Sequence, residues 1–591
     1  MKHLFPILTI LGIIYISSCA NQGSPTGGPR DTIPPSLTES NPPHKSLNFK
    51  GKEFEFTFDE RVSADQLTQK LNITPRIENK FKVLMKKYTM KILFEENFDD
   101  STTYTFNFAD GVGDITEKNP VINFTYAFST GPIIDSIYVN GNVKDLYENE
   151  NQKEILVALY SISDTLDLFT GKPRYFTKTD EEGNYLIENI KTDHYRIYAW
   201  EDKDNNQENN PQKEPHGFIA DSLDLFTSKD SVRLKIQLID ASTPEFVRAK
   251  NTGLYFDILY NKYIDHYILK KLNSSSKLKV PANNFFKDNT IIRFYPDNSL
   301  AVEKDSLYLS IQCFDSLGNH ITDSLYIKFK ESKRKPEDFK FTLSPTTKYK
   351  LNTKIPLTFT FSKPISNSTI DSIKISYDSL QSINIQDSTL NWNDNKTELK
   401  FELTVDKKLI PYYVDSLQKK WFKEDSLLKV QYDLLDSIGQ DSLSQISRNP
   451  RPKLPEPVIR VFIPAATFIS VDNDSTALLE QSYRFINQEK TGEISVEIET
   501  EETHYILQLV NKNYKVIKEV DSPVKHTFRY VEPGKYTFRV LIDKNKDGKW
   551  TSGNILEDIE PEPIWFHPET FDLKAGWSIE LLKETEDHLV F

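Results

Sequence analysis

Phe54-Glu55-Phe56-Thr57-Phe58-Asp59-Glu60 places aromatic and polar residues in strict alternation. A β-strand turns successive side chains to opposite faces, so the three phenylalanines share one face while Glu55 and Thr57 take the other. The same period of two returns in Tyr104-Thr105-Phe106-Asn107-Phe108 and in Phe124-Thr125-Tyr126-Ala127-Phe128. Short alternating strands bounded by turn residues predict an antiparallel sandwich of about 100 residues, over 33–131.

The pattern continues through the chain. Residues 132–240 hold Ile137-Tyr138-Val139-Asn140-Gly141-Asn142-Val143, then Ile155-Leu156-Val157-Ala158-Leu159-Tyr160, a turn at Asp180-Glu181-Glu182-Gly183-Asn184, and Tyr195-Arg196-Ile197-Tyr198-Ala199-Trp200. They predict a second sandwich, and 241–335 a third. In 336–470 the run Leu357-Thr358-Phe359-Thr360-Phe361-Ser362-Lys363-Pro364-Ile365-Ser366 repeats the layout of residues 54–63. This segment also carries an expected helix, since Leu409, Tyr413, Leu417 and Trp421 are spaced four apart on one face. A Pro-rich connector follows at 449–457. In 471–591, Tyr536-Thr537-Phe538-Arg539-Val540-Leu541-Ile542-Asp543 repeats the late part of the second segment, where Tyr195 to Trp200 also runs into an acidic, Asn-rich loop. Asp-Ser pairs at 221–222, 305–306, 315–316, 323–324 and 371–372 read as turns entering strands.

The chain opens with Lys2 and His3, an apolar stretch over 4–16, and Ile16-Ser17-Ser18-Cys19. The apolar stretch is shorter than the roughly 20 residues a membrane-spanning helix needs, so 1–18 is expected to be a signal peptide. Residues 19–32 are rich in Gly, Pro, Ser and Asn and form an expected flexible tether.

Three resemblances sharpen this reading. Ile16-Ser17-Ser18-Cys19 resembles the lipobox of bacterial lipoproteins, which implies that Cys19 is acylated, by palmitate among other chains, and becomes the first residue of the mature protein. Three acyl chains would clear the threshold for stable membrane anchoring. The tether Gln22-Gly23-Ser24-Pro25-Thr26-Gly27-Gly28-Pro29, then Asp31-Thr32-Ile33-Pro34-Pro35, the strand at 54–60, and Thr103 to Phe108 closing on Phe128-Ser129-Thr130-Gly131 resemble the bacterial Ig-like domain at the front of lipoproteins from Bacteroidota. That resemblance implies an Ig-like sandwich, a Gram-negative envelope and no known catalytic residues. The second segment resembles the carboxypeptidase-regulatory-like or transthyretin-like sandwich, an accessory module. The expected fold class is thus all-β: tandem Ig-like and related antiparallel β-sandwiches in an elongated multidomain chain, with a second Ig-like domain at 336–470 that carries one minor helix.

Composition agrees. A chain of 591 residues exceeds what one core serves, and 38% hydrophobic residues suffice for several packed cores. The net charge of −13, from 73 Lys and Arg against 86 Asp and Glu, argues against a nucleic-acid partner, which would want a concentrated basic surface. There are two cysteines. If Cys19 carries lipid, Cys313 has no disulfide partner, and its place in Leu307-Tyr308-Leu309-Ser310-Ile311-Gln312-Cys313-Phe314 reads as a small buried hydrophobe. Expected partners are the outer membrane, through the lipid, and envelope proteins, including an outer-membrane β-barrel complex to which the chain would be an accessory in protein assembly or export. Residues after Cys19 hold no acidic cluster resembling a surface-export signal, and the periplasmic and cell-surface faces are both left open.

Only two loops carry residues with metal chemistry. Asp543, Asn545, Asp547 and the carbonyl of Lys549 alternate along one, with Gly548 at the sixth position as in an EF-hand turn; Glu557 would close the set, since Asn554 stands at position 12. Asp202, Asp204, Asn206 and Glu208 alternate along the other. Structural calcium is the only cofactor they suggest, and without it such loops are polar hairpins. No catalytic residue is identified: the histidines have no ligand spacing, and neither a Gly-x-Ser-x-Gly elbow nor a phosphate-cradling loop occurs. The expectation is a non-enzymatic scaffold or interaction protein. The alternative, a surface lipoprotein binding carbohydrate for glycan uptake, would use exposed rings among Trp200, Trp421, Trp550, Trp565 and Trp577.

Overall fold

The computed structural model describes residues 31–591 apart from 123, 273–278, 297–305, 347–349, 352–353, 377–381, 384–389, 405–421, 432–457, 487 and 584–587. The expected signal peptide, Cys19, most of the expected tether, the expected helix over 409–421 and the Pro-rich stretch at 449–457 therefore lie outside the described residues. Residues 422–431 are helical. The chain divides into two compact units, Met1–Asp240 and Ala241–Phe591, and is all-β, built of sandwiches.

In the first unit, strand Glu53–Phe58 does what its alternation requires: Phe54, Phe56 and Phe58 are buried, and Glu53 and Glu55 are exposed. It lies in an antiparallel sheet of order Leu37–Asn41, Glu53–Phe58, Thr89–Phe94, Phe81–Lys86. A second sheet, Asn72–Thr74, Thr103–Asn107 and Thr125–Ser129, supplies the other half of the core. Aromatic rings fill the space between: Phe108 stacks on Phe124 at 3.9 Å between centroids, and Phe54 meets Phe128 at 4.8 Å.

Beside this core the short strand Gly113–Asp114 pairs with Val62–Ser63. Asp114 is buried, which favours its neutral form, yet its carboxylate accepts hydrogen bonds from the backbone N–H groups of Glu117, Asn119 and Lys118 and from the Thr116 hydroxyl. Those bonds prevail and hold its pKa well below the usual carboxylate range. A depressed folded-state pKa contributes stability above the unfolded value of about 3.9 and loses it as pH falls further. The melting temperature of this sandwich should therefore drop as pH is lowered from about 4 toward 2. Asp114→Asn should lower it at neutral pH and flatten the acid limb; parallel melting curves for the two proteins would contradict the assignment.

The second sandwich pairs a three-stranded sheet, Asn184–Ile190, Ile137–Asp145, Lys229–Ile236, with a five-stranded one, Tyr175–Lys178, Leu156–Ser161, Asp193–Trp200, His216–Phe218, in which Leu223–Leu225 also pairs with Asp193–Trp200. In the second unit the last sandwich has the same plan with one strand added: Lys525–Val531, Gly492–Glu499, Ser578–Leu581 in one sheet and Val516–Asp521, Tyr505–Asn511, Gly534–Ile542, Ile564–Phe566 in the other, with Phe571–Leu573 paired to Gly534–Ile542 and the extra Leu589–Val590 parallel to Gly492–Glu499. Both break the expected antiparallel rule at the same place, where Ile137–Asp145 runs parallel to Lys229–Ile236 and Gly492–Glu499 parallel to Ser578–Leu581. A parallel neighbour needs a long crossover, which the intervening five-stranded sheet supplies.

The sandwich containing strand Lys354–Phe361 likewise repeats the first. Its sheet runs Phe341–Ser344, Lys354–Phe361, Glu398–Thr404, Asn391–Trp392, and Lys374–Ser376, Val458–Ile463 and Leu479–Phe485 are consecutive neighbours in the other. Strand Leu479–Phe485 pairs with Val458–Ile463, and Tyr483 is wholly buried in the core with Phe359 and Phe401. This sandwich thus runs past residue 470, where a boundary was expected. Between it and residue 240, strands Phe246–Thr252, Tyr255–Tyr260, Ile291–Phe294 and Asn283–Phe286 form one sheet of a further sandwich and His266–Lys271, Leu307–Phe314 and His320–Ile327 the other. Cys313 is wholly buried there, and burial pushes its thiol up to about 11, where it is an inert packing residue. Asp323-Ser324 sits within strand His320–Ile327 and not at a turn.

Candidate metal centre

The two acidic loops leave corresponding strands of matching sheets. Strand Asp193–Trp200 and strand Gly534–Ile542 each run out of a five-stranded sheet into the loop and pair antiparallel with the strand that returns, His216–Phe218 or Ile564–Phe566. At the loop bases Glu201 N donates to Pro215 O and Ile542 N donates to Pro563 O, both at 3.0 Å. Each loop is therefore a closed excursion from a rigid pair of strands.

In the first, Asp202 is buried and its carboxylate accepts from Asn206 N at 3.0 Å and Gln207 N at 3.2 Å. Asp204 accepts from Asn206 N at 3.1 Å. From the far end of the loop, buried Glu214 accepts from Lys203 N at 2.9 Å and Asn210 N at 2.7 Å. Carboxylate oxygens of Asp202, Asp204 and Glu214 all lie within 4.8 Å of one another. Burial raises the pKa of Asp202, and the charge of Glu214 pushes it further up. Glu208, the expected fourth ligand, is half-buried, and its backbone N–H is bonded to the Asn206 side chain at 2.6 Å.

The second loop follows the same plan. Asp543 is buried; its Oδ2 accepts from Gly548 N at 3.0 Å, while its Oδ1 is enclosed and has no hydrogen-bond partner. Gly548 holds φ at +89°, a conformation that favours glycine and turns the chain back toward Asp543. Asn545 Oδ1 accepts from Asp547 N, and Asp547 Oδ1 accepts from Lys549 N, each at 2.9 Å. Glu557 lies exposed in the 3-10 turn Ile555–Glu557. The carboxylate on which the loop converges is Glu562, which accepts from Lys544 N at 2.8 Å, Asn545 N at 3.0 Å and Thr551 N at 2.8 Å. Trp550 lies beside this residue, its indole N–H donating to the Glu562 backbone carbonyl at 3.2 Å.

Glu214 and Glu562 escape a reading by spacing along the loop because they close it from the returning strand. One signal was present: each is a Glu-Pro pair immediately before that strand, Glu214-Pro215 and Glu562-Pro563.

Among the tryptophans, Trp200 is wholly buried, Trp550 and Trp565 are half-buried, and Trp577 is 53% exposed with the Lys574 ammonium 4.8 Å from its ring centroid. Trp421 lies outside the described residues. A cavity of about 760 Å³ opens between the two sandwiches of the first unit, lined by Thr105, Asn107 and Phe124 on one side and Phe176, Lys178 and Asp180 on the other. Asn189 Nδ2 donating to Thr105 Oγ1 at 2.8 Å joins those sandwiches.

The architecture defines a chain of β-sandwiches. Residues 31–130 match the family of bacterial Ig-like domains. No curated protein matches the chain. Among solved structures, the N-terminal part of the bacterial S-layer protein SbsC is 14% identical, over 28% of this chain and 40% of that one, with a TM-score of 0.14. The major pilin subunit BcpA of Bacillus cereus is 10% identical over 75% and 97%, with a TM-score of 0.12. The human Desmocollin-1 ectodomain is 8% identical over 89% and 95%, with a TM-score of 0.13. This chain spans less than half of that SbsC fragment, and likenesses this weak carry no argument about what it does.

Proposed function

We propose that the protein is a non-enzymatic, lipid-anchored scaffold of the bacterial cell envelope, held at the outer membrane by Cys19 and presenting its sandwiches to envelope proteins. The observation that carries this reading is the order of parts along one chain: a short apolar leader ending in Ile16-Ser17-Ser18-Cys19, a Gly/Pro tether, then sandwiches of which the first matches a bacterial Ig-like domain. An anchor followed by repeated packed modules holds a binding surface at a membrane and needs no reaction centre of its own. The finer reading is an accessory role in outer-membrane protein assembly or export, through contact with a β-barrel complex.

Metabolic labelling with an alkynyl fatty acid tests the anchor. The wild-type chain should take up label and sediment with outer membranes, whereas Cys19→Ala should lose both; a Cys19→Ala chain that stays in the membrane fraction would sink the proposal. Crosslinking in intact cells should then recover an outer-membrane barrel protein, and recovery of glycan-uptake components alone would favour the carbohydrate-binding alternative.

A further inference from the structure

We infer that the loops closed by Glu214 and Glu562 are a repeated pair of calcium sites, ligated by Asp202, Asp204 and Glu214 in one and by Asp543, Asn545, Asp547 and Glu562 in the other. Each loop supplies one observation that points to a cation, and among the described residues only Asp202, Asp204 and Glu214 bring three carboxylates to within 4.8 Å of one another. In the first loop three carboxylates, two of them buried, converge to within 4.8 Å. Like charges gathered out of water repel and are tolerated when a cation or a proton offsets them. In the second loop Asp543 is 5% exposed, its Oδ2 is fastened to the loop's own Gly548 N–H, and its Oδ1 is left enclosed without a donor. An orphaned, buried carboxylate oxygen costs free energy that a ligated cation removes.

The lysines next in sequence to each first aspartate do not fill this role, and Lys178, whose charge reaches Asp202, gives its Nζ to Asn205 Oδ1 at 3.2 Å and not to the converging carboxylates. Lys203 Nζ turns to Lys213 O and the Glu201 carboxylate, and Lys544 Nζ to the Glu502 carboxylate. The donors are all oxygen, with no imidazole or thiol among them, and they mix carboxylates with a neutral amide. That is the preference of a hard cation, and a loop that supplies some ligands by side chain and leaves the rest to carbonyls and water suits the 6 to 8 positions of calcium better than the strict octahedron of magnesium. The shared strand plan of the two sandwiches, apart from the added Leu589–Val590, makes the coincidence informative: corresponding strands emit both loops, and a Glu-Pro pair closes both. Calcium here would lock each loop to its returning strand, a structural role beyond the scaffold reading and not dependent on the anchor.

Terbium, a luminescent calcium surrogate, reads the second site directly, because Trp550 lies against Glu562 and can transfer excitation to a bound ion. The mature full-length chain, stripped with chelator, should give Trp-sensitised terbium emission that calcium displaces. Calorimetric titration with calcium should show two equivalents, with dissociation constants in the range of about 0.1–1 mM seen for extracellular modules. Asp543→Asn and Glu562→Gln should each weaken the second site at least about tenfold, the lower end of what losing even an outer-shell partner of a ligand costs. Asp202→Asn should remove one equivalent and leave the Trp550-sensitised signal intact. Glu557→Gln should bind as wild type, and since Glu557 is exposed this variant keeps the ligand assignment testable even where a buried substitution impairs folding. Absence of both sensitised emission and calcium heat at 10-fold above that range, a stoichiometry of one, or unchanged binding by folded Asp543→Asn would overturn the proposal.

Discussion

Phe56→Ala should cost the first sandwich about 3–5 kcal/mol, the range measured for truncating a buried aromatic ring. Phe56 is wholly buried, in contact with Phe108, Phe124 and Tyr126 at centroid distances of 5.3, 5.5 and 5.1 Å. Those neighbours come from the opposite sheet and from the connection between two of its strands, so the hole cannot close by moving one side chain. Since a domain is stable by only about 5–15 kcal/mol, the loss takes much or all of what this sandwich has. Each kcal/mol corresponds to roughly 4–8 °C in a domain of this size, so one calorimetric transition should fall by at least about 12 °C or vanish. Ile122→Ala, at a residue 68% exposed in the same sandwich, should leave that transition where it is. Equal shifts from both substitutions would mean that the phenylalanine face is not what holds the sheets together.

That face was readable from the sequence for a simple physical reason. A half-buried strand repeats every two residues, and aromatic rings make the repeat conspicuous at residues 54–58 and again at 357–361. The matching of the second and last sandwiches was legible only in part. Their late strands and loops share a pattern, but Ile137–Asp145 and Gly492–Glu499 have the same place in the sheet with little similarity of side chains, because packing accepts many hydrophobic residues at one position. Nothing local in strand Leu479–Phe485 marks it as part of the sandwich before residue 470; its pairing with Val458–Ile463 is a long-range fact. The loops show the same division. Asp202, Asp204, Asp543, Asn545 and Asp547 follow one another closely enough to be read as a set, while Glu214 and Glu562 reach them only through the ladder at the loop base.

Arg293→Met should destabilise the second unit by about 3–5 kcal/mol, the cost of leaving a buried charge without its partner. Its guanidinium gives Nε and Nη2 to the two oxygens of Asp257 at 2.8 and 2.9 Å and Nη1 to Glu337 at 2.8 Å, with side-chain exposures of 3% for Arg293 and 9% for Asp257. Aromatic faces sandwich the cation, with Phe286 and Tyr255 centroids 3.7 and 4.4 Å away. Tyr255 in turn donates to Asp472 at 2.6 Å, and Asp472 pairs with buried Lys363 at 2.7 Å. The network therefore ties the sandwich that holds Tyr255 and Arg293 to the one that holds Lys363 and Asp472. Methionine keeps most of the volume but strands Asp257, and lysine keeps the charge but loses the planar fork, so Arg293→Lys should also weaken the unit, by less. The informative comparison is Asp257→Leu with Arg293→Met in one chain. Replacing both members of a buried pair by apolar residues is often neutral or better, so the double variant should recover most of the melting temperature lost by Arg293→Met alone. If the double variant melts at the additive sum of the single losses, the stranded charge is not the cause, and the contribution of Arg293 lies in its stacking between Phe286 and Tyr255.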